Sequence, residues 1–153
     1  MNNKNFPNIS EFIIAPHHTA LSVKNYEKAK KFFMNVIGMN LESEWKNRKE
    51  KLLDQVVGLK NVEAHVAILE LNGYKLELFQ YLNPPGKSLE INQNDKGLTH
   101  ICFQVNNVEK VYKTISSFGY KSLSPPTPLR GGKVKPFYMY GPENIVIEFI
   151  EIF

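Results

Sequence analysis

Cysteine is nearly absent from this chain. A single thiol, Cys102, cannot close an intrachain disulfide and cannot by itself make a thiolate metal centre. Long apolar runs are missing too, and none approaches the roughly 18 residues needed to cross a bilayer. The opening stretch, MNNKNFPNISEF, is polar and has no apolar signal core, so export is not expected. A strong charge of one sign is also lacking: 19 basic against 15 acidic residues leave a net charge of +4. The basic residues are scattered and no recognised nucleic-acid module is present, which argues against a nucleic-acid partner. Disorder is excluded by the opposite kind of evidence, because 10 Phe, 7 Tyr and 1 Trp supply abundant surface to bury. The expectation is one cytoplasmic domain of 153 residues with no membrane span.

What is present is an internal echo. Val23-Lys24-Asn25-Tyr26-Glu27-Lys28 returns as Val105-Asn106-Asn107-Val108-Glu109-Lys110, an offset of 82 from position 23 to 105. The same offset relates His18 to His100, and Gly38 and Gly119 close the segments that follow. Each copy opens with an alternating strand. His18, Ala20 and Ser22 share one face opposite Thr19, Leu21 and Val23, as His100, Cys102 and Gln104 share a face opposite Ile101, Phe103 and Val105. The histidine lies on the less apolar side in both.

A helix should follow each strand. Asn25 and Asn107 are suitable N-caps, and Gly38 and Gly119 suitable stops. Tyr26, Ala29, Phe33, Val36 and Ile37 recur at helical spacing, as do Val108, Val111, Tyr112, Ile115 and Phe118. Strands are then expected at 39–46, 62–71 and 74–82, the last two joined by an Asn72-Gly73 hairpin turn. The second half should give strands at 120–123, 135–140 and 145–153, with Gly141-Pro142-Glu143-Asn144 as a turn. Asn47 to Asn61 is an insertion in the first copy. The pattern is an α+β fold of two βαβββ modules, about 12–83 and 98–153, joined by a linker at about 84–97, in a single domain.

Two of these strands carry a carboxylate in an awkward place. Glu77 is flanked by Leu76 and Leu78, and Glu148 by Ile147 and Phe149. An ionised carboxylate on a dry face costs several kcal/mol unless it is paired or bound to a cation. The hairpin register pairs Leu71 with Tyr74 and therefore Ile68 with Glu77, but leaves open which side of the sheet Glu77 faces. His65, opposite Gln80, falls on the face away from Glu77, and His17 points away from His18; both are read as structural. Glu70 and Glu151 are read as edge-strand residues facing water.

At these positions the chain resembles the vicinal oxygen chelate superfamily of glyoxalase I, methylmalonyl-CoA epimerase, fosfomycin-modifying enzymes, extradiol dioxygenases and bleomycin-binding proteins. The features are His18 to Val23 with the helix through Ala29-Lys30-Lys31-Phe32-Phe33 to Gly38-Met39, then Leu76-Glu77-Leu78, repeated as His100 to Val105 and Ile147-Glu148-Phe149. The resemblance spans about His18 to Glu151. It implies a cup-shaped mixed sheet with helices on its outer face, a divalent metal, and a homodimer. The ligands it implies are His18, Glu77, His100 and Glu148, with Glu148 also taking a proton and Glu77 as its counterpart. Gly141-Pro142-Glu143-Asn144 replaces the family's usual D-P-D-G, and the insertion after Trp45 sets the chain apart from compact glyoxalases.

Two imidazoles and two carboxylates suit Zn, Ni, Co, Mn or Fe without choosing among them. Such an ion can take a substrate with neighbouring oxygens and stabilise the enolate or enediolate left by proton removal. The expected function is therefore a glyoxalase-like lyase or isomerase acting on a small oxygen-chelating molecule. Trp45 and Phe79 are candidate substrate contacts. Arg130 and Lys133 join them because no acidic residue occurs from Tyr120 to Pro142, and with the basic stretch Lys46 to Lys51 they suggest an anionic substrate. Alternatives on the same fold are an acyl-CoA epimerase, an Fe(II) dioxygenase, and a metal-free antibiotic-binding protein walled by Trp45, Phe79, Phe137 and Tyr138.

Overall fold

The structure, a computed structural model, describes residues 9–88 and 92–153. Residues 1–8, which open the stretch bearing on export, and residues 89–91 of the linker lie outside the described residues. Module one contains β1 (Thr19–Ser22), α1 (Tyr26–Phe32), β2 (Asn40–Arg48), α2 (Lys51–Val57), β3 (Glu63–Leu71) and β4 (Tyr74–Asn83). Module two contains β5 (Ile101–Gln104), α3 (Val108–Ser117), β6 (Val134–Tyr140) and β7 (Val146–Ile152). The fold is α+β, in two mixed sheets ordered β1-β4-β3-β2 and β5-β7-β6. Residues 84–88 and 92–97 hold no helix or strand. Among the described residues no helix is long and apolar enough to cross a membrane.

Local chemistry accounts for the helices. The side-chain oxygen of Asn25 accepts the Lys28 N–H at 3.0 Å, and that of Asn107 accepts the Lys110 N–H at 2.8 Å. Each satisfies an N–H that a helix start otherwise leaves without a partner. α1 then widens into a π-turn over Phe33–Ile37 before Gly38, at φ 89°, ends it. Phe32 and Phe33, three and four residues after the buried Ala29, both enter the core. Asn72 and Gly73, at φ 51° and 84°, make the hairpin turn, and Leu71 pairs with Tyr74 as expected.

Two expectations need correction. The second strand of module two, expected over 120–123, shrinks to one bridge between Ser122 and Met139. Pro125, Pro126 and Pro128 follow closely and lack the N–H groups that a ladder requires. The insertion, in turn, is not plain loop: it folds α2, whose Leu53 and Val57 pack on Val62, Ala64, Val66, Phe79 and Tyr81. The Asp54 carboxylate holds the return by accepting the Asn61 and Val62 N–H groups, each at 2.8 Å.

One apolar core serves both modules. Phe32, Phe33, Ala67, Leu69, Leu76 and Leu78 of the first join Ile101, Val108, Ile115, Phe137, Met139, Ile147 and Phe149 of the second. Burying each large side chain stabilises the fold by about 1.5–3 kcal/mol. These residues come from the helix-bearing face of each sheet, so the opposite, histidine-bearing faces look away from the shared core. A polar clamp reinforces the contact. Glu143, in the turn before β7, accepts the Lys24 N–H at 2.7 Å and the Asn25 N–H at 2.5 Å, and so caps the entry to α1 from the other module. Glu143→Ala should therefore lower the unfolding free energy by about 1–2 kcal/mol, read by urea titration with a matching fall in melting temperature.

Candidate functional site

Register puts the four candidate side chains on the open faces. β1 runs parallel to β4 with Ala20 beside Glu77, and β5 parallel to β7 with Cys102 beside Glu148. His18 and His100 are the residues just before β1 and β5. Each reaches the carboxylate of the neighbouring strand: His18 Nε2 lies 3.1 Å from Glu77 Oε2, and His100 Nε2 lies 3.3 Å from Glu148 Oε2. The glutamate side chains are only 15% and 12% exposed, and the histidines 35% and 33%, so each pair opens to solvent on its imidazole side. The other ring nitrogens are occupied, His18 Nδ1 by His17 Nδ1 at 2.7 Å and His100 Nδ1 by Thr99 Oγ1 at 3.1 Å. That leaves Nε2 to face the carboxylate in both pairs.

The sequence leaves open whether the four groups meet within one chain; among the described residues they do not. Among the described residues no three His, Cys, Asp or Glu side chains form a group able to hold a metal. Each sheet carries its own His–Glu pair on a face turned from the common core. The donor set still suits a divalent ion. Two donors each about 2.1 Å from one ion lie about 3.0 Å apart at a right angle and about 3.4 Å apart at the tetrahedral angle. The observed separations of 3.1 and 3.3 Å fall in that interval.

The two pairs differ in their surroundings. Glu77 is bracketed by Ala20 on β1 and Ile68 on β3, which offer it no hydrogen bond. Glu148 is bracketed by Cys102 on β5 and Tyr138 on β6. Cys102 is exposed as a residue; partial desolvation of its thiol first, then hydrogen bonding to Glu148 and the charge of its carboxylate, pushes it up to about 12. Burial and the Glu148 charge likewise raise the Tyr138 phenol, which packs edge-on against His100 with ring centroids 5.2 Å apart. Counting back from a turn at 141–144 pairs Tyr140 with Ile145 and would set Phe137 opposite Glu148; the connection instead runs through Ile145, Tyr140 pairs with Val146, and Tyr138 faces Glu148. Neither this neighbour nor Cys102 was recoverable from sequence, because register and strand order decide them.

The remaining candidates fall variously. Trp45 and Phe79 both pair with Val66 and share the open face of Glu77. Phe137 is no wall residue: it pairs with Phe149 on the opposite face and is 1% exposed in the core. Arg130 and Lys133 sit at the turn that opens β6, and Lys133 is five residues, or about 16 Å of strand, from Tyr138. Glu70 and Glu151 are not on edge strands. Glu70 accepts the Gly73 N–H at 2.7 Å, and Glu151 accepts the Val108 N–H at 2.9 Å and so caps α3. Glu44 accepts from the Tyr26 hydroxyl at 2.7 Å and from Lys30 at 2.5 Å on the helix side, where it ties β2 to α1. His65, paired with Gln80 away from Glu77, accepts the Asn47 N–H at 3.1 Å.

The family model of the Glyoxalase/Bleomycin resistance protein/Dioxygenase superfamily matches residues 15–149. A glyoxalase family protein from Bacillus cereus has a similar structure, with a TM-score of 0.82 at 20% identity over 99% of each chain. The fosfomycin resistance protein FosX from Listeria monocytogenes, solved with Mn(II) and sulfate, superposes with a TM-score of 0.61 at 18% identity, covering 91% of this chain and 93% of that one. In sequence, the mitochondrial methylmalonyl-CoA epimerase of Dictyostelium discoideum is 24% identical over 138 residues, 89% of this chain and 75% of the epimerase.

The raised thiol makes a direct test of the module-two contacts. With a pKa of about 12 the thiolate is about one part in ten thousand at pH 8. Cys102 should thus alkylate with iodoacetamide far more slowly than a free thiol, at a rate that climbs as pH rises toward that value. Glu148→Gln removes the carboxylate charge, so it should shift the alkylation profile to lower pH, as followed by mass spectrometry.

Proposed function

The chain belongs to the Glyoxalase/Bleomycin resistance protein/Dioxygenase superfamily, and from that premise we propose a divalent-metal-dependent lyase or isomerase whose site is completed between two copies of the chain. The observation that carries this is the pair of half-sites. Each open face presents one imidazole and one carboxylate at ligand-like separation, and neither face alone supplies the usual set of three or four protein donors. Among the described residues β1 and β5 are outer strands, each with one unpaired edge. His18 and His100 stand at the starts of those strands, so abutting β1 of one copy against β5 of another brings the two pairs together. A two-fold homodimer built this way contains two such sites.

His18, Glu77, His100 and Glu148 would hold the ion. The donor types suit Zn, Ni, Co, Mn or Fe, and the manganese in the Listeria relative makes Mn(II) the first ion to supply. When bound, such an ion polarises a substrate carbonyl and stabilises the charge left when a neighbouring carbon loses its proton. Glu148 takes that proton. Its carboxylate lies beside the Tyr138 hydroxyl, the Cys102 thiol and His100, as a positioned base requires. Glu77, from the other module, faces the same space and can return the proton from the opposite side. Trp45 and Phe79 line the approach on module one and keep water from it. The substrate is a small molecule with adjacent oxygens. The similarity to an epimerase supports proton transfer beside a carbonyl as the reaction type.

Subunit mixing tests the assembly. Glu77→Gln and Glu148→Gln should each lose bound metal and, in hemithioacetal isomerisation and acyl-CoA epimerisation assays, lower whatever rate the wild type shows by at least about a hundredfold. Unfolded together and refolded, the two variants should regain about a quarter of the wild-type metal sites, because half the dimers are mixed and each of these keeps one intact site. A mixture no better than the separate variants would mean that the site is not shared between chains.

A further inference from the structure

β2 is irregular at the place that matters for the open face of module one. Trp45 pairs with Val66, whereas Arg48, three residues on, pairs with Ala64, only two residues away on β3. In an unbroken strand, residues three apart point to opposite faces. The extra residue of this bulge puts Trp45 and Arg48 on the same face, that of Val66, Phe79 and Glu77. Asn47 makes the bulge at φ 51°, a left-handed conformation that asparagine tolerates. His65 pins it from behind by accepting the Asn47 N–H at 3.1 Å.

The re-aimed guanidinium is held but not used up. Its Cζ lies 5.6 Å from the centroid of the Trp45 ring. Nε and Nη2 donate to the two oxygens of Glu50 at 2.8 and 3.3 Å. A guanidinium carries five N–H groups in a planar fork, so this pairing occupies one edge and leaves the Nη1 edge for a ligand. The Arg48 pKa is raised chiefly by the Glu50 hydrogen bond, and the Glu77 carboxylate adds a smaller pull, which puts Arg48 within electrostatic reach of the His18–Glu77 pair. Phe79, stacked on Tyr81 with ring centroids 5.4 Å apart, forms an apolar wall that α2 supports through Leu53 and Val57. The open-face positions of β5, β6 and β7, including Cys102, Gln104, Pro136, Tyr138, Glu148 and Ile150, hold no arginine or lysine. An anion at the joined site therefore finds its forked donor on module one.

We propose that Arg48 is the anion-recognition residue of this site, and that the substrate is a small oxygen chelator carrying a carboxylate or phosphate group beside an apolar portion. The proposal rests on the metal-site reading above and narrows its substrate class.

Three chelators test it on the Mn(II)-loaded protein, with water-proton relaxation as the readout. Acetohydroxamate supplies two chelating oxygens and no tail; succinohydroxamate adds a carboxylate and phosphonoacetohydroxamate adds a phosphonate. The wild type should bind at least one of the tailed chelators at least about tenfold more tightly than acetohydroxamate, the worth of one charge-assisted hydrogen bond. Arg48→Met should erase that margin and leave acetohydroxamate binding unchanged, which also shows that the variant is folded and loaded. The tail with the larger margin names the anion. Equal binding of all three by the wild type, or a margin that survives in Arg48→Met, would overturn the proposal. If acetohydroxamate itself leaves the relaxation of the wild type unmoved, the metal-site reading fails, and the proposal with it.

Discussion

Two sheets share one apolar core here, and each contributes its helix-bearing face to it. That sharing constrains everything else. A sheet has only two faces, so once both modules commit Leu76, Leu78, Phe137, Phe149 and their neighbours inward, the histidine faces must turn outward. The polar clamp from Glu143 to the start of α1 keeps the modules in that relation. A chain folded this way presents its two His–Glu pairs on separate surfaces, which the proposed site would join through a second copy.

Each half-site answers a local electrostatic problem. A carboxylate in the middle of an apolar strand needs a partner, and in each module the residue just before the neighbouring parallel strand supplies one. Each imidazole Nε2 lies within hydrogen-bonding reach of its glutamate; under the proposed function the same two groups would hold a divalent ion. The duplicated geometry therefore satisfies the carboxylate in each module. Its surroundings are not duplicated. Glu148 lies among a thiol and a phenol, Glu77 beside Ala20 and Ile68, and the bulge with α2 appears in module one alone. Under the proposed function binding and chemistry would divide along that asymmetry, with the apolar wall and the forked cation on one side and the base on the other.

Much of this was legible in the chain. The echo of His18 and Glu77 in His100 and Glu148, the caps at Asn25 and Asn107, and the Asn72-Gly73 register all follow from patterns whose causes act within a few residues. The less legible parts have equally specific reasons. Three prolines after Ser122 dissolved a strand that alternation alone supports. α2 is a short helix of seven residues, too brief to show a clear period. Phe137 and Tyr138 are adjacent aromatics, and only the pairing with β7 says which one faces Glu148.

The sequence by itself determined the two modules, the alternation of faces within each strand and the duplication of one histidine and one glutamate per module, because alternation, capping and hairpin register are local rules; the parallel pairings that set each histidine beside its glutamate came from strand order. Tertiary structure alone decided that both helix faces enter one core, that the two pairs point apart, and that a single extra residue in β2 swings Arg48 onto the face of Glu77. Those outcomes depend on packing between segments distant in the chain, which no periodicity within a segment encodes.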